Sequence, residues 1–325
     1  MFRKTMMVFA TILALIGCDN GNERGGDTEA SRADSLSLRV AVMPTLDCLP
    51  VYVASHSGIF ERESLNVMLV PFTAHMDCDT AIVGGSVHAI PTDLVRAERL
   101  IKQGTPLHYA TTTALSWQLL TAKTARIRKL PQLDDRMIAM TRFSATAMLT
   151  DQLVDSAKLQ PERVFPIQVN DVLVRLNMME TGIMDAMLLP EPQATVARCL
   201  GSNILYDNAA DSMALGAFAF SEKALKDTLR RQQMEVFMKA WDEACDSINT
   251  LGLEHYRGLI ADRCHVKEQV VDSLVLQHPM HFRHATPPRQ KDIDHTKIWL
   301  GYMSAPKTEN KTGNKPRNKK GRKNK

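Results

Sequence analysis

The sequence predicts an α/β protein built on mainly parallel sheets flanked by helices, and three observations predict this class. Short apolar, β-branched runs such as "LRVAVM" and "LNVMLVPF" are typical of buried strands. Stretches with helical spacing lie between them and end at glycine, as "LPVYVASHSGIF" does at Gly58. Strands that alternate with helices at this spacing form parallel sheets with helices on both faces. The chain has 325 residues, of which 44% are hydrophobic, and this length suits two domains or one large one.

The elements follow in order along the chain. The first half predicts strands at 38–43, 65–72, 87–93, 106–114 and 117–123 and helices at 49–57, before Gly58, at 79–85 and at 93–103. The alternation of strands and helices is interrupted by the charged segment "TARIRKLPQLDDR" at 124–136 and then resumes. The second half predicts strands at 137–141, 163–169 and 184–190 and helices at 145–159, at 171–181 and from Glu191.

The two halves share a weak internal similarity. "GGSVHAIPTD" and "TGIMDAMLLPEP" have glycine and alanine at the same spacing before an apolar strand and a proline, so that Gly85 and Gly182 become matching helix ends. From "MALGAFAFSEKAL" onward we expect helices. In "MEVFMKAWDEACDSI" the apolar residues lie on one helical face, and Trp241 is therefore expected in the core. A final helix is expected in "DIDHTKIWLGYM".

The first 18 residues have the pattern of an export signal, with a basic start, a short apolar run and small residues before a cleavage point. Leu15-Ile16-Gly17-Cys18 resembles a bacterial lipobox, which implies cleavage before Cys18 and lipid attachment to its sulfur. A plain membrane anchor or a simple secretion signal is the alternative. Residues 19–36 are polar and Gly-rich, as in a flexible tether. We therefore expect an exported protein, lipid-anchored to the cell-envelope membrane on its periplasmic or outer face.

Charge is concentrated at the ends of the chain. Residues 306–325 hold nine Lys/Arg against one Glu, and Arg3 and Lys4 add two more cations, so that the body carries about −6. That sign argues against a nucleic-acid partner. The basic tail has no apolar content and is predicted to be disordered. Its lysines either contact anionic lipid or keep the chain soluble.

Five cysteines remain besides Cys18, and an oxidising compartment permits disulfides. Cys48 and Cys78 each follow a predicted parallel strand, so a bridge between them is a candidate, and Cys245–Cys264 is a second one. Five is an odd number, so at least one thiol stays free or pairs elsewhere.

Candidate ligand contacts lie at the carboxyl ends of the strands, where an open parallel sheet binds its ligands. These positions carry polar or aromatic side chains, and the ligand-binding candidates are Thr45, Asp47, His75, Thr92, Asp93, Trp117, Thr141, Arg142, Ser144, Thr146, Asn170 and Glu191. Asp77, Ser116 and Asp171 occupy the same ends.

"MTRFSATAMLTD" places an arginine and three hydroxyls where a strand becomes a helix. Ser144 can simply cap that helix. A guanidinium beside hydroxyl donors at a helix N-terminus also suits an oxyanion, so Arg142 is either a ligand contact or a surface or interdomain ion pair. Trp117 either stacks on a ligand or packs in the core.

Catalytic and metal motifs are absent from the sequence. It has no Gly-x-Ser-x-Gly, no His-Glu-x-x-His and no P-loop. His278, His281 and His284 are spaced for one helical face, but Pro279 argues against a helix there and hence against a metal site. We expect no metal, no cofactor and no enzymatic activity.

Several segments resemble, in order, the solute-binding lipoproteins of ABC importers, in the branch of nitrate-, sulfonate-, taurine- and thiamine-precursor binders. They are "LPVYVASHSGIFERESLNVMLVPF", "AIVGGSVHAI" with His88 where aspartate is usual, "MMETGIMDAMLLPEPQATVA" with Asp185 and Glu191-Pro192, and Trp299. The resemblance covers residues 37–303. It implies a two-lobed, type II periplasmic-binding-protein fold with two hinge crossovers and a monomeric protein whose ligand lies between the lobes. Lobe one would comprise 37–127 and 222–305 and lobe two 128–221, with hinges near 124–130 and 215–222.

The resemblance implies the substrate-binding component of an ABC importer, which docks on a membrane permease and its ATPase. Arg142 favours a small anion such as a sulfonate or nitrate. Asp47, Asp93 and Glu191 favour an amino-heterocycle such as a thiamine-precursor pyrimidine. A tethered sensor of the same fold is a further alternative, and a biosynthetic enzyme of the same fold is a weaker one because the sequence has no catalytic grouping.

Overall fold

The computed structural model describes residues 36–211 and 213–302, and a compact unit begins at Leu38. The predicted signal peptide 1–18, the lipidation of Cys18, nearly all of the tether 19–36 and the basic tail 306–325 lie outside the described residues. In the described part of the chain, no helix combines the length and the apolar character that a membrane crossing requires.

The described strands form two five-stranded sheets. The first has the order β2-β1-β3-β10-β4 and the second the order β7-β6-β8-β5-β9. The bounds of the strands are β1 Leu38–Val42, β2 Val67–Pro71, β3 Ala89–Asp93, β4 Leu107–Thr112, β5 Gln118–Thr121, β6 Arg136–Met140, β7 Val164–Gln168, β8 Ala186–Leu189, β9 Asn203–Asp207 and β10 Gly216–Ser221. In each sheet three neighbouring strands are parallel, and one strand from the other half of the chain pairs antiparallel with its neighbours.

Helices connect the parallel strands and complete the first lobe. Their bounds are α1 Leu49–His56, α2 Ile59–Arg62, α3 His75–Gly84, α4 Leu94–Lys102, α5 Ala145–Ser156, α6 Val172–Glu180, α7 Gln193–Cys199, α8 Thr228–Leu251, α9 Arg257–Cys264, α10 Glu268–Gln277 and α11 Gln290–Trp299. The predicted α/β alternation is confirmed. Gly85 ends α3 with φ +76° and Gly182 follows α6 with φ +71°, a backbone conformation that favours glycine.

The crossings between the sheets differ from those predicted. Strand β5 lies in the second sheet between β8 and β9, and strand β10 lies in the first sheet between β3 and β4. The chain therefore crosses at 113–117 and at 208–215, not near 124–130 and 215–222. Lobe one is accordingly the part that holds the first sheet, residues 38–112 and 216–302, and lobe two is the part that holds the second sheet, from 113 to 207. The charged segment 124–136 is a surface connection containing short 3-10 turns, because its proline and charges suit neither sheet.

The segment "GAFAFS" was expected near the onset of helices, and it is instead strand β10. All six of its residues are buried. Phe218 and Phe220 pack on Phe237 of α8 with ring centroids 5.6 and 5.7 Å apart, and Trp241 lies 5.7 Å from Phe218. Aromatic pairs at such distances stabilise a core beyond the area that they bury. Trp241 is a core residue, as the helical periodicity predicts.

The cysteines Cys48, Cys78, Cys199, Cys245 and Cys264 are all free thiols in the structure. The predicted Cys48–Cys78 bridge and its alternative, Cys245–Cys264, are therefore not formed. The sulfur of Cys48 instead accepts a hydrogen bond from the Met43 N–H at 3.3 Å. Burial raises the pKa of the Cys48 and Cys78 thiols well above the ordinary value, so both are protonated.

Candidate functional site

The carboxyl ends of the parallel strands in the two sheets face each other, and backbone hydrogen bonds join them directly. Leu46, after β1, donates its N–H to the carbonyl of Glu191, after β8, at 3.0 Å. Val172 at the start of α6 donates to the carbonyl of Thr73, after β2, at 3.0 Å. The residues that follow the strands of both lobes thus meet in one cleft, which is closed by direct contact.

Two aspartates of this cleft occupy helix N-termini. Asp93 Oδ1 accepts the N–H of Arg96 in α4 and the N–H of Ala145 in α5, each at 3.0 Å. Asp171 Oδ1 caps α6, and its Oδ2 accepts the hydroxyl of Thr73 at 2.5 Å. Burial raises the pKa of Asp93 to about 6, although Arg96 and the two N–H donors oppose the shift. Asp93 is therefore ionised at neutral pH and connects a helix of each lobe.

Three nitrogen-bearing side chains form what we call the donor cluster, namely His75, Arg96 and Arg175. The pKa of His75 falls to about 3 because of burial first and then because of the positive charges of Arg96 and Arg175. Burial likewise lowers the pKa of Arg175 to about 10, with a smaller contribution from Arg96. The charges of Arg96, in lobe one, and of Arg175, in lobe two, therefore both act on His75 across the junction of the lobes.

Each arginine of the donor cluster has a partner for a terminal guanidinium nitrogen but none for its Nε among the described residues. Arg96 Nη2 lies 2.5 Å from Asp79 Oδ2, and Arg175 Nη1 donates to the carbonyl of Leu188 at 2.8 Å. The Nε atoms of both arginines and Nε2 of His75 are buried and have no partner among the described residues. Buried polar atoms are rarely left unpaired in native proteins, so a hydrogen-bonding partner is expected at these three nitrogen atoms.

Three oxygen-bearing side chains form the acceptor cluster, namely Thr45, Asp47 and Gln193. Gln193, from lobe two, donates its amide to the carbonyl of Pro44 at 2.6 Å and more weakly to that of Cys264 at 3.4 Å. Its Oε1, the Thr45 hydroxyl and both carboxylate oxygens of Asp47 are buried with no partner among the described residues. Burial raises the pKa of Asp47 to about 6, and Thr45 partly offsets the shift.

A surface groove opens next to the acceptor cluster. Pro44, Tyr52, Thr73 and Arg263 are among its lining residues. The Tyr52 hydroxyl donates to the carbonyl of Met43 at 2.9 Å, and the guanidinium of Arg263 lies 5.8 Å from the centre of the Tyr52 ring. The groove therefore borders the cleft on the side where β1 and β2 end.

Comparison with solved structures identifies this architecture. No protein-family model matches the chain, and no curated protein matches it in sequence. The alkanesulfonate-binding protein SsuA from Xanthomonas axonopodis pv. citri, solved bound to MOPS, superimposes with a TM-score of 0.70 over 82% of this chain and 92% of that one, at 16% identity. The chain has the type II periplasmic-binding-protein fold.

Two further proteins of this fold superimpose over a similar share of the chain. The aliphatic sulphonate binding protein SsuA from Escherichia coli matches with a TM-score of 0.66 over 82% of this chain and 91% of that one, at 16% identity. The nitrate-binding protein NrtA from Synechocystis matches with a TM-score of 0.67 over 83% of each chain, at 12% identity. At sequence identities of 12–16%, the structural similarity establishes the fold alone.

Several residues predicted as ligand contacts serve the periplasmic-binding-protein fold itself. Ser144 Oγ caps α5 at Thr146 N and donates to the carbonyl of Thr141 at 2.6 Å, while Thr146 Oγ1 accepts the Thr141 N–H at 2.9 Å. The three hydroxyl residues thus bond chiefly to one another and to the local backbone. Trp117 is buried in the apolar core of lobe two, and its backbone N–H donates a hydrogen bond to Asn208 Oδ1 at 3.0 Å.

Of the remaining predicted contacts, some lie at the surface and others are buried and bonded to neighbouring residues. Arg142 is exposed and makes no hydrogen bond or ion pair with the described residues. Asn170 accepts the amide of Gln168 at 3.1 Å near the surface. Thr92 is buried, with only a long contact of 3.4 Å to the carbonyl of Asp93. Glu191 is fully engaged, because Arg198, Gln118 and Thr195 all donate to its carboxylate.

The sequence analysis does not single out Arg96, Arg175 and Gln193, which the structure adds to the candidate site. A signal for the arginines existed, because Arg175 stands in "DVLVRLNMM", where apolar residues flank a single charge, and Arg96 follows the β3 end by three residues. A charge inside an apolar helical run is buried when the helix packs, and a buried arginine is a candidate for a functional role.

Proposed function

We propose that the protein is the lipid-anchored substrate-binding component of an ABC importer, which captures a small organic solute between its lobes and delivers it to a membrane permease and ATPase. The observation that carries the proposal is the set of buried, unpartnered polar atoms that both lobes contribute where their strand ends meet. The known binding proteins that share the fold, named above, lend it support.

The chemistry of closure follows from the placement of these atoms. His75, Arg96, Thr45 and Asp47 belong to lobe one, whereas Arg175 and Gln193 belong to lobe two. A solute that hydrogen-bonds to both sets interacts fully only when the lobes are together. Its binding free energy therefore shifts the population toward the closed form, which is the form that a permease can distinguish from the empty one.

The favoured solute is a small anion such as a sulfonate, a carboxylate or nitrate. The support lies in Arg96 and Arg175, two buried arginines of opposite lobes: burial and, to a lesser extent, the like charge of Arg96 lower the pKa of Arg175. Planar guanidinium donors match oxyanions in geometry, and a shared anion offsets the repulsion. The donor cluster thereby takes the role that the sequence assigned to Arg142.

Isothermal titration calorimetry on the whole mature protein tests this function, with nitrate, alkanesulfonates and dicarboxylates as ligands. We expect one of these to bind, Arg175→Gln to weaken it at least tenfold, and Arg142→Ala, the matched control on an exposed arginine, to leave its affinity unchanged. Sensitivity to Arg142→Ala with indifference to Arg175→Gln would contradict the assignment.

A thiamine-precursor pyrimidine is the second candidate, and the unpartnered carboxylate of Asp47 favours it. An amino-pyrimidine donates hydrogen bonds that such a carboxylate accepts. Titration with the pyrimidine precursors distinguishes the two, because this ligand would lose affinity in Asp47→Asn and keep it in Arg175→Gln. Absence of binding by every compound would favour the tethered sensor.

A further inference from the structure

We infer that the solute carries a cationic hydrogen-bond donor, an ammonium or amidinium group, which Asp47, Thr45 and Gln193 bind, so that the protein takes up small amino-bearing anions in preference to plain anions. This inference rests on the proposed function and names the substrate class of the same cleft.

Asp47 stands apart from the other buried acids. Among the described residues neither of its oxygens makes a hydrogen bond of ordinary geometry, and the neighbouring Thr45 hydroxyl only partly offsets the effect of burial on its pKa. Asp93, Glu191 and Asp171 all accept hydrogen bonds from backbone or side-chain donors. A buried carboxylate without a cationic partner is costly, so the retention of Asp47 at the strand end favours a cation that arrives with the solute.

The atoms around Asp47 accept more than they donate. The free Oε1 of Gln193 is an acceptor, and its amide hydrogens are already used on the carbonyls of Pro44 and Cys264. The Thr45 hydroxyl can accept as well. An ammonium or amidinium group presents several N–H donors from one centre, which is what a carboxylate, an amide oxygen and a hydroxyl together can satisfy.

The charges of the cleft also favour an amino-bearing anion. Arg96 is paired with Asp79, and Asp171 is the carboxylate whose charge acts on Arg175. Asp93 and Asp47 add negative charge with no guanidinium bonded to them. A plain anion would bring a further negative charge into a buried site that already holds an excess of carboxylates. An amino-bearing anion satisfies the donor cluster and compensates Asp47.

Matched pairs of probes that differ only in an amino group test the inference by calorimetry at pH 7.5. The pairs are 2-aminoethanesulfonate with ethanesulfonate, 3-aminopropylphosphonate with propylphosphonate, and β-alanine with propionate. We expect the amino-bearing member of at least one pair to bind at least tenfold more tightly. Asp47→Asn should reduce that preference to about twofold or less, whereas Arg175→Gln should weaken both members by a similar factor.

The outcomes separate this inference from the proposed function. Equal binding of amino and des-amino members overturns the inference and leaves the anion-binding function standing, as does a preference that survives Asp47→Asn. If no member of any pair binds, both fail together. Thr45→Val is a second variant in case Asp47→Asn folds poorly, and it should lower the ratio of amino to des-amino affinity, whereas an unchanged ratio in that variant would overturn the inference.

Discussion

The carboxylate of Asp93, in one lobe, accepts the backbone N–H of Ala145, in the other, at 3.0 Å. The same oxygen accepts the N–H of Arg96 at 3.0 Å. One side-chain atom therefore lies at the N-termini of both α4 and α5, where the helix dipoles favour negative charge. Asp93 occupies a position that an anion from solution could otherwise take, and the protein supplies that anion itself.

Asp93→Ala should weaken the contact between the lobes, because two helix N-termini lose their shared acceptor. We expect the free energy of unfolding to fall by about 1–3 kcal/mol and amide exchange at Ala145 to accelerate. Urea unfolding and hydrogen-exchange mass spectrometry measure the two effects. The exposed Asp155 on α5 provides the control, and Asp155→Ala should change neither. Unchanged exchange at Ala145 in Asp93→Ala would show that the lobes meet without this bond.

Asp47→Asn should stabilise the empty protein at neutral pH. Burial raises the pKa of Asp47 from 3.8 to about 6 in the folded state, a difference that corresponds to about 3 kcal/mol against the ionised form. Between these pH values the folded state holds a proton that the unfolded state has lost. The contribution of Asp47 to stability therefore falls as pH rises from about 4 to 6 and stays low above it.

Urea unfolding of the wild type and of Asp47→Asn over pH 4–8 measures this effect as a difference. His75 and His88 titrate in the opposite sense in both proteins, and their contribution cancels. We expect the advantage of Asp47→Asn to grow from pH 4 to pH 6 and then level off. An advantage independent of pH would mean that Asp47 already has a partner in the empty protein.

Glu191→Gln should be strongly destabilising, since it leaves Arg198 buried with its charge uncompensated. The two side chains are 3% and 8% exposed, with 2.8 Å between Nη1 and Oε1. Removing one partner of such a pair costs about 3–5 kcal/mol. The matched control is Glu243→Gln, whose ion pair with Arg62 is half-exposed and whose loss should cost less than about 1 kcal/mol. Similar losses in the two variants, measured by urea unfolding, would exclude a special role for the buried pair.

His75 should remain neutral across the physiological range. Its pKa is lowered to about 3 by burial and by Arg96 and Arg175, whereas Asp246 raises the pKa of the exposed His284. Imidazole NMR shifts recorded from pH 4 to 8 should show a titration for His284 and a flat line for His75. In Arg175→Gln the pKa of His75 should rise, because one of the two neighbouring cations is removed. Titration of His75 near pH 6.5 in the wild type would place it outside the donor cluster.

Prediction from the sequence succeeded where local signals are strong. Gly58, Gly85 and Gly182 have positive φ values in the structure, and each marks the end of a predicted helix. The alternation of apolar strands and helices predicted the fold class correctly. Ser144 turned out to be the cap that its position before α5 suggests.

Prediction failed where long-range pairing decides. Nothing local distinguishes "WQLLTAK" as a strand of the second sheet or "GAFAFS" as a strand of the first. Each strand is buried on both faces, and its sheet is decided by the strands with which it pairs. The candidate site includes residues that the sequence does not single out, for a related reason. Arg142 is prominent in the sequence but exposed, whereas Arg96 and Arg175 become neighbours only when the lobes meet.

The placement of β10 has a consequence for the order in which the chain can fold. Strand β10 separates β3 from β4 and pairs with both of them. Until residue 221 has been synthesised and is free to pair, β4 has no neighbour in its sheet, and the first lobe cannot be completed from the residues that begin it. Lobe two, from β5 to β9, is continuous and carries no such dependence. A nascent or translocating chain should therefore complete its second lobe first, and a truncation after residue 211 should yield a folded second lobe attached to an open, aggregation-prone first sheet.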